Sequence, residues 1–388
     1  MQNLSTLPTS KKLVGLDHLR ALAITLVLLY HYRMFAHPQW VDDVIGFGWT
    51  GVDLFFVLSG FLISSQLFEQ MAKGKAISLP EFFIKRFFRI IPPYLLVLAI
   101  YVFIPAFHER EQLPPLWKFL TFTQNFGLDI KTDGTFSHVW SLCVEEHFYL
   151  LLPLVLTGLV AWKVARKGWI LLPVLFLAGF VIRWYCWQYL IAPHEGADDY
   201  WKYWYMEMYY PTYNRLDGLL AGVAGAALFT FLPSVKAWII RYSHAILVAG
   251  LLVLTGAWFL CEEQKNFWAS ILGYPVIAIG YSLLVLGAVS PGNVLYRFNS
   301  RITALIAKLS FVLYLSHKGV IHLVQPLFEK AGLAPKGNAM LVASLLAAVA
   351  AAFILNKLVE APCLRLRQRI LQKRKGKQEA MMVEHLRA

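Results

Sequence analysis

The chain is a succession of apolar runs about 20 residues long, separated by short polar segments, and the pattern continues almost from end to end. A helix of ~20 apolar residues crosses the ~30 Å hydrocarbon core of a bilayer. The pattern therefore predicts an all-α, polytopic membrane protein with about ten transmembrane helices. The runs are Leu13 to Phe35, Trp49 to Phe68, Phe88 to Phe107, Trp140 to Val160, Trp169 to Ile191, Tyr213 to Leu232, Ile239 to Leu260, Ala269 to Val289, Ile306 to Phe328 and Ala339 to Val359. The first is read as a span and not a cleavable signal peptide, because its apolar run is too long and carries Asp17, His18 and Arg20.

Charge orders these spans. Basic residues occupy alternate connections: Lys11 and Lys12; Lys73, Lys75, Lys85, Arg86 and Arg89; Lys163, Arg166 and Lys167; Lys236 and Arg241; Arg297, Arg301 and Lys308. The tail adds Arg365, Arg367, Arg369, Lys373, Arg374 and Lys375. By the positive-inside rule these segments are expected in the cytoplasm, with both termini inside and an even number of spans. Asp42, Asp43, Glu109, Glu111, Asp198, Asp199, Glu262 and Glu263 lie in the connections that would face outside. Residues 1–363 are expected to form one membrane domain, and residues 364–388 a basic cytoplasmic tail, either disordered or an amphipathic helix on the inner surface.

Composition narrows the classes further. Hydrophobic residues make up 58% and charged residues 15%, against about 25% charged in soluble domains. The net charge of +13 is explained by topology and contact with anionic lipid headgroups, and no motif points to nucleic acid. Cys143, Cys186, Cys261 and Cys363 have no paired spacing, which predicts neither a disulfide framework nor a thiolate metal site. No metal is expected.

Ionisable residues inside spans cost at least ~2.5 kcal/mol each at a helix centre, so each raises a question of chemistry. In RALAITLVLLYH, Arg20 and His31 are eleven residues apart; on a helix that is about three turns and ~16 Å, leaving both on nearly one face. Asp17 is one turn before Arg20 and can pair with it. Asp53 opens the second span, where Ser59 and Gly60 permit close helix packing. Lys85, Arg86 and Arg89 stand at the entrance of the third, and the last two, one turn apart, can grip a phosphate. Glu145 and Glu146 are adjacent in the fourth span, so at most one faces a bundle interior. Arg215 and Asp217 are close at the start of the sixth span, and Tyr314 and His317 are one turn apart in the ninth.

These stretches resemble, in order, the motifs of acyltransferase family 3, membrane proteins that move acyl groups, most often acetyl, onto extracytoplasmic sugars. The resemblance runs from Gly15 to Arg367: GLDHLRALA leading to an Arg, ten residues, then His; GVDLFFVLSGFLIS; KRFFRIIPPY; WSLCVEEHFY; RLDGLLAG; LSFVLYLSH; and VEAPCLRLR with Glu360 and Pro362. His18 and His147 replace residues more usual in the family. The resemblance implies a ten-helix bundle using a cytosolic acyl-coenzyme A, most often acetyl-coenzyme A, and a sugar acceptor arriving from outside. It implies that Arg86 and Arg89, with Lys85 in the same basic motif, bind donor phosphates, that His31 is catalytic with Arg20 its motif partner, and that Glu145 is the acidic residue of the site. Asp17, Asp53, Arg215, Asp217, Tyr314 and His317 are candidates for a supporting network.

On this reading a pantetheine arm runs past Arg20 toward His31, which takes a proton from the sugar hydroxyl while Glu145 orients the imidazole; an acyl-histidine route is equally open. The acceptor is modified directly or through a separate envelope acyl-transfer protein, in a bacterial inner membrane. The alternative class is a secondary transporter using the intramembrane His, Glu and Arg as a proton relay, which predicts substrate counterflow without acyl-coenzyme A.

Overall fold

The computed structural model describes residues 14–387. Lys11, Lys12 and Leu13, and the side chains of Arg166 and Lys375, lie outside the described residues. The apolar runs form helices: α1 (Val14–Tyr32), α2 (Gly51–Ala72), α3 (Leu79–Phe103), α4 (Trp140–Ala161), α5 (Leu171–Cys186), α6 (Asp217–Phe231), α7 (Pro233–Arg241), α8 (Ser243–Leu260), α9 (Tyr274–Ala288), α10 (Arg301–Lys330), α11 (Asn338–Leu355) and α12 (Ala361–Arg387). Among the described residues there is no strand, and nine helices are long and apolar enough to cross a membrane. The protein is an all-α, multi-pass membrane protein.

The sixth predicted span departs from a simple crossing. α6 has 15 residues, about 22 Å at 1.5 Å per residue, and it turns through 106° into α7. The break falls at Leu232, whose φ of −121° and ψ of 83° leave the helical region. The cause is Pro233, because a proline ring disfavours helical geometry in the residue before it. The predicted seventh span loses its first residues to α7 for the same reason, so α8 begins at Ser243.

α2, α9 and α10 are largely buried, whereas α5 and α8 expose apolar side chains such as Val181 (66%) and Leu252 (67%). The latter faces suit lipid. The centre is set by close contact of α2 with α6, where a Cβ on Gly60 would lie 2.2 Å from the Leu219 carbonyl oxygen and one on Gly222 would lie 2.3 Å from that of Val57. Only glycine permits backbones this near.

The long connection between α3 and α4 folds back into the bundle, burying Gln124, Asn125, Thr135 and His138. Phe136 adopts a φ of +56°, an outlier for a bulky residue, and is held there on two sides. Its N–H donates to Glu109 Oε1 at 3.2 Å, and its ring centroid is 4.3 Å from that of Tyr101. Two π-helical turns, Tyr205–Tyr209 and Asn356–Glu360, re-aim side chains toward the interior, as such turns do at functional sites.

Candidate active site

α1 carries Arg20 and His31 into two different cavities. The first, about 200 Å³, is lined by Arg20, Ser59, Arg86, Arg89, Glu145, Tyr149 and Tyr314, among others. The second, about 390 Å³, is lined by His31, His138 and Lys318 together with the aromatic side chains of Tyr30, Trp49, Trp140, Trp201, Tyr205, Tyr209 and Tyr210. Tyr314 joins the two linings: its hydroxyl is 2.7 Å from Ser141 Oγ in the first and donates to the His138 carbonyl in the second.

In the Arg20 cavity, Asp17 lies 3.6 Å from Arg20 across one helical turn. Glu145 accepts hydrogen bonds from Ser59 at 3.1 Å and Tyr149 at 2.5 Å, so Ser59 is a polar partner and not merely a packing residue. Its neighbour Glu146 does not line the cavity, because adjacent helical residues point ~100° apart; its Oε1 is buried without a partner. Arg86 stacks over the Tyr149 ring, 5.4 Å from the centroid, and its buried Nε has no hydrogen-bond partner. Arg89 is ion-paired with the buried Glu360, which the π-turn at the end of α11 delivers and Asn356 holds at 2.7 Å. Lys85 instead pairs with Glu81 at 2.6 Å and does not line the cavity, so the basic motif splits into two residues at the site and one beside it.

In the second cavity, His31 Nδ1 is 2.8 Å from His317 Nε2. The expectation that Glu145 orients the His31 ring is corrected here. Glu145 lines the other cavity with its oxygens bonded to Ser59 and Tyr149, because it lies on α4 beyond the layer that Ser141 and Tyr314 form. His138, edge-on to both rings, donates from Nε2 to the Leu315 carbonyl at 3.3 Å. Lys318 Nζ is 3.5 Å from Glu109 Oε1, both side chains being almost wholly buried. At the mouth, Asp42 accepts from Arg33 at 2.7 Å and His37 at 2.9 Å. The His37 hydrogen bond, then that from Arg33, holds the Asp42 carboxyl below its usual range.

Arg215 and Asp217 do not pair with each other. Arg215 donates to Asp53 at 2.9 Å and is caged by Tyr274 and Tyr209, with centroid distances of 4.2 and 4.5 Å. Asp217 is bound by Arg183 at 2.7 and 3.3 Å. These two pairs tie α2 and α5 to the start of α6. They support the site without lining either cavity.

Sequence reasoning missed Arg183, Glu109, His138 and Lys318. Arg183 was detectable as a lone cation in an apolar run, and His138 and Lys318 adjoin motifs already marked. Glu109 carried no signal, since an acidic residue in a polar connection looks solvated. Among the described residues no group of three or more His, Cys, Asp or Glu side chains is placed to hold a metal ion.

A helical membrane bundle with three partly exposed arginines at one cavity and an imidazole cluster at an aromatic-walled second cavity defines an integral membrane protein built for polar chemistry within the bilayer. The chain belongs to the family described as "Acyltransferase domain", which matches residues 13–357. It is 27% identical over 337 residues to "O-acetyltransferase OatA" of Staphylococcus aureus, covering 82% of this chain and 52% of that protein. It is 28% identical over 345 residues to "Peptidoglycan O-acetyltransferase OatA" of Listeria monocytogenes, covering 82% and 51%. The chain thus spans about half the length of these curated relatives. No solved structure matches it.

Proposed function

We propose that the protein is a membrane O-acetyltransferase that moves an acetyl group from acetyl-coenzyme A, bound on the cytoplasmic side, to a hydroxyl of an extracytoplasmic glycan. The observation that carries this reading is the division of labour along α1, with Arg20 in a cation-lined cavity and His31 in an aromatic one. The orientation rests on the distribution of basic connections. Family membership supports acyl transfer, and the name of the Listeria relative supports a glycan acceptor.

Arg86 fits a donor phosphate because it lines this cavity with its guanidinium stacked on Tyr149, and Arg20 adds a second cation. Glu145, locked by Ser59 and Tyr149, keeps this cavity polar without closing it to the donor. The ~16 Å rise from Arg20 to His31 is comparable to an extended pantetheine arm, which passes the Tyr314 layer to present its thioester. His31 removes the proton of the sugar hydroxyl as the oxygen attacks the thioester carbonyl carbon. The carbon–sulfur bond breaks, and the departing thiolate receives the proton from the imidazolium. The same lone pair on His31 would serve as nucleophile if an acyl-histidine forms first. The walls of tyrosine and tryptophan suit the apolar faces of sugar rings. A separate acceptor protein relaying the acyl group fits the same geometry, since transfer requires only a hydroxyl in the second cavity.

Mass spectrometry of envelope glycans from cells producing the protein or its His31→Ala variant tests the reading. O-acetyl groups present with the first and absent with the second, at equal amounts of membrane-inserted protein, are expected. Equal O-acetylation in both would refute it.

A further inference from the structure

His317 makes two kinds of hydrogen bond from its two ring nitrogens. Nδ1 lies 2.8 Å from the Tyr314 carbonyl oxygen and 3.1 Å from that of Leu313. Both partners belong to the preceding turn of α10 and can only accept, so Nδ1 must carry the proton. A ring with one proton then has its lone pair on Nε2, and Nε2 is the atom 2.8 Å from His31 Nδ1. His31 must therefore donate through Nδ1, which leaves the lone pair of His31 on Nε2. The ring planes agree with this assignment. They are within 8° of each other with centroids 5.0 Å apart, so the nitrogens meet edge to edge, an in-plane N–H facing an in-plane lone pair.

We propose that His317 is the positioning residue of the site, fixing His31 in the Nδ1–H tautomer so that its Nε2 is the basic atom turned to the acceptor hydroxyl. The inference rests on the proposed acyl transfer and deepens it. The arrangement performs the task of the carboxylate in a Ser-His-Asp triad, holding the tautomer and the ring plane, but the chain of bonds ends on backbone carbonyls. Those carbonyls belong to a buried helix and cannot rotate away, so the direction of the N–H···N bond is set by the fold. His138, edge-on at 5.0 Å from His317 and 5.8 Å from His31, prevents the pair from sliding apart. An imidazole accepting on Nε2 also leaves no buried anion behind His31, unlike an aspartate in that position.

Solid-state ¹⁵N NMR of the full-length protein, labelled on histidine and reconstituted in lipid, reads the tautomer directly, with His31→Gln supplying the assignment by difference. A protonated Nδ1 and an unprotonated Nε2 on His31 are expected; the reverse assignment overturns the proposal, whatever any variant does. In cells, His317→Phe removes the acceptor while keeping a planar ring, and glycan O-acetylation should fall by on the order of 10²-fold. His317→Gln, whose amide oxygen can accept from His31 Nδ1 and whose NH₂ can donate to the carbonyls, should restore it to within about tenfold, a rescue that a merely structural role would not produce. O-acetylation by His317→Phe within about threefold of the parent would overturn the proposal. His31→Ala run beside it separates the two levels: if His31→Ala is inactive and His317→Phe is active, only the positioning role fails, and if His31→Ala is active, the transfer reading itself fails.

Discussion

Arg183 holds Asp217 with two hydrogen bonds, 2.7 and 3.3 Å, and its side chain has no exposed surface. An ion pair so placed contributes little over a well-packed apolar pair, but losing one partner strands a charge. Asp217→Ala should lower stability by about 3–5 kcal/mol, read as a drop in the thermal unfolding midpoint in detergent. Arg183→Met with Asp217→Leu should recover most of that loss. A double variant as unstable as the single one would show that the pair carries more than its own charge balance.

The α2–α6 crossing makes a second, purely steric prediction. Gly222→Ala would place a Cβ 2.3 Å from the Val57 carbonyl oxygen and 2.6 Å from the Phe61 nitrogen. Both are backbone atoms that cannot turn aside, so the helices must separate at a cost of about 1–3 kcal/mol. Gly256→Ala on α8, with nothing within 4 Å of the new Cβ, should be neutral or stabilising by up to about 1 kcal/mol. The difference between their unfolding midpoints is the measurement.

Donor binding should depend on Arg86 more cleanly than on Arg89. Arg86→Gln removes a cation whose Nε has no protein partner, and calorimetric titration with coenzyme A should show affinity weakened by about tenfold, a change of ~1.4 kcal/mol. Arg89→Gln should also lower the unfolding midpoint, because it leaves the buried Glu360 without its cation and held by Asn356 alone. Unchanged coenzyme A affinity in both would remove the donor-binding role of these residues.

The mouth of the His31 cavity should respond to acid through Asp42. Its carboxyl is held below the ordinary value of 3.8 by hydrogen bonds from His37 and Arg33. A carboxyl depressed in the folded state contributes stability that is present above its unfolded value and is lost as pH falls through the folded one. Local order around residues 33–42, followed by hydrogen exchange, should therefore loosen only below about pH 4. In Asp42→Asn that segment should already be loose at neutral pH and show no further change in this range.

The architecture was legible in the sequence because membrane helices announce themselves locally. Lipid demands an unbroken apolar run, and an exception such as Arg20 or His31 stands out by its cost. Pairing along one helix was equally legible: Asp17 lies one turn from Arg20, and the structure joins them. Proximity in sequence does not make partners of Arg215 and Asp217, which bind Asp53 and Arg183 on other helices, because side chains two residues apart leave a helix start in different directions.

What the sequence alone determined is the all-α membrane class, all but the sixth of the membrane helices, and the family, since these depend on residue identity read in order. What only the tertiary structure decided is the company each polar residue keeps. It placed Glu145 with Ser59 and Tyr149, brought His317 to His31, and buried Glu109 against Lys318. The physical reason is that a buried polar atom must find its partner from whichever helix or returning loop packs beside it. That choice is made by glycine-permitted crossings and by a connection folded back into the bundle, neither of which has a local signature in the chain.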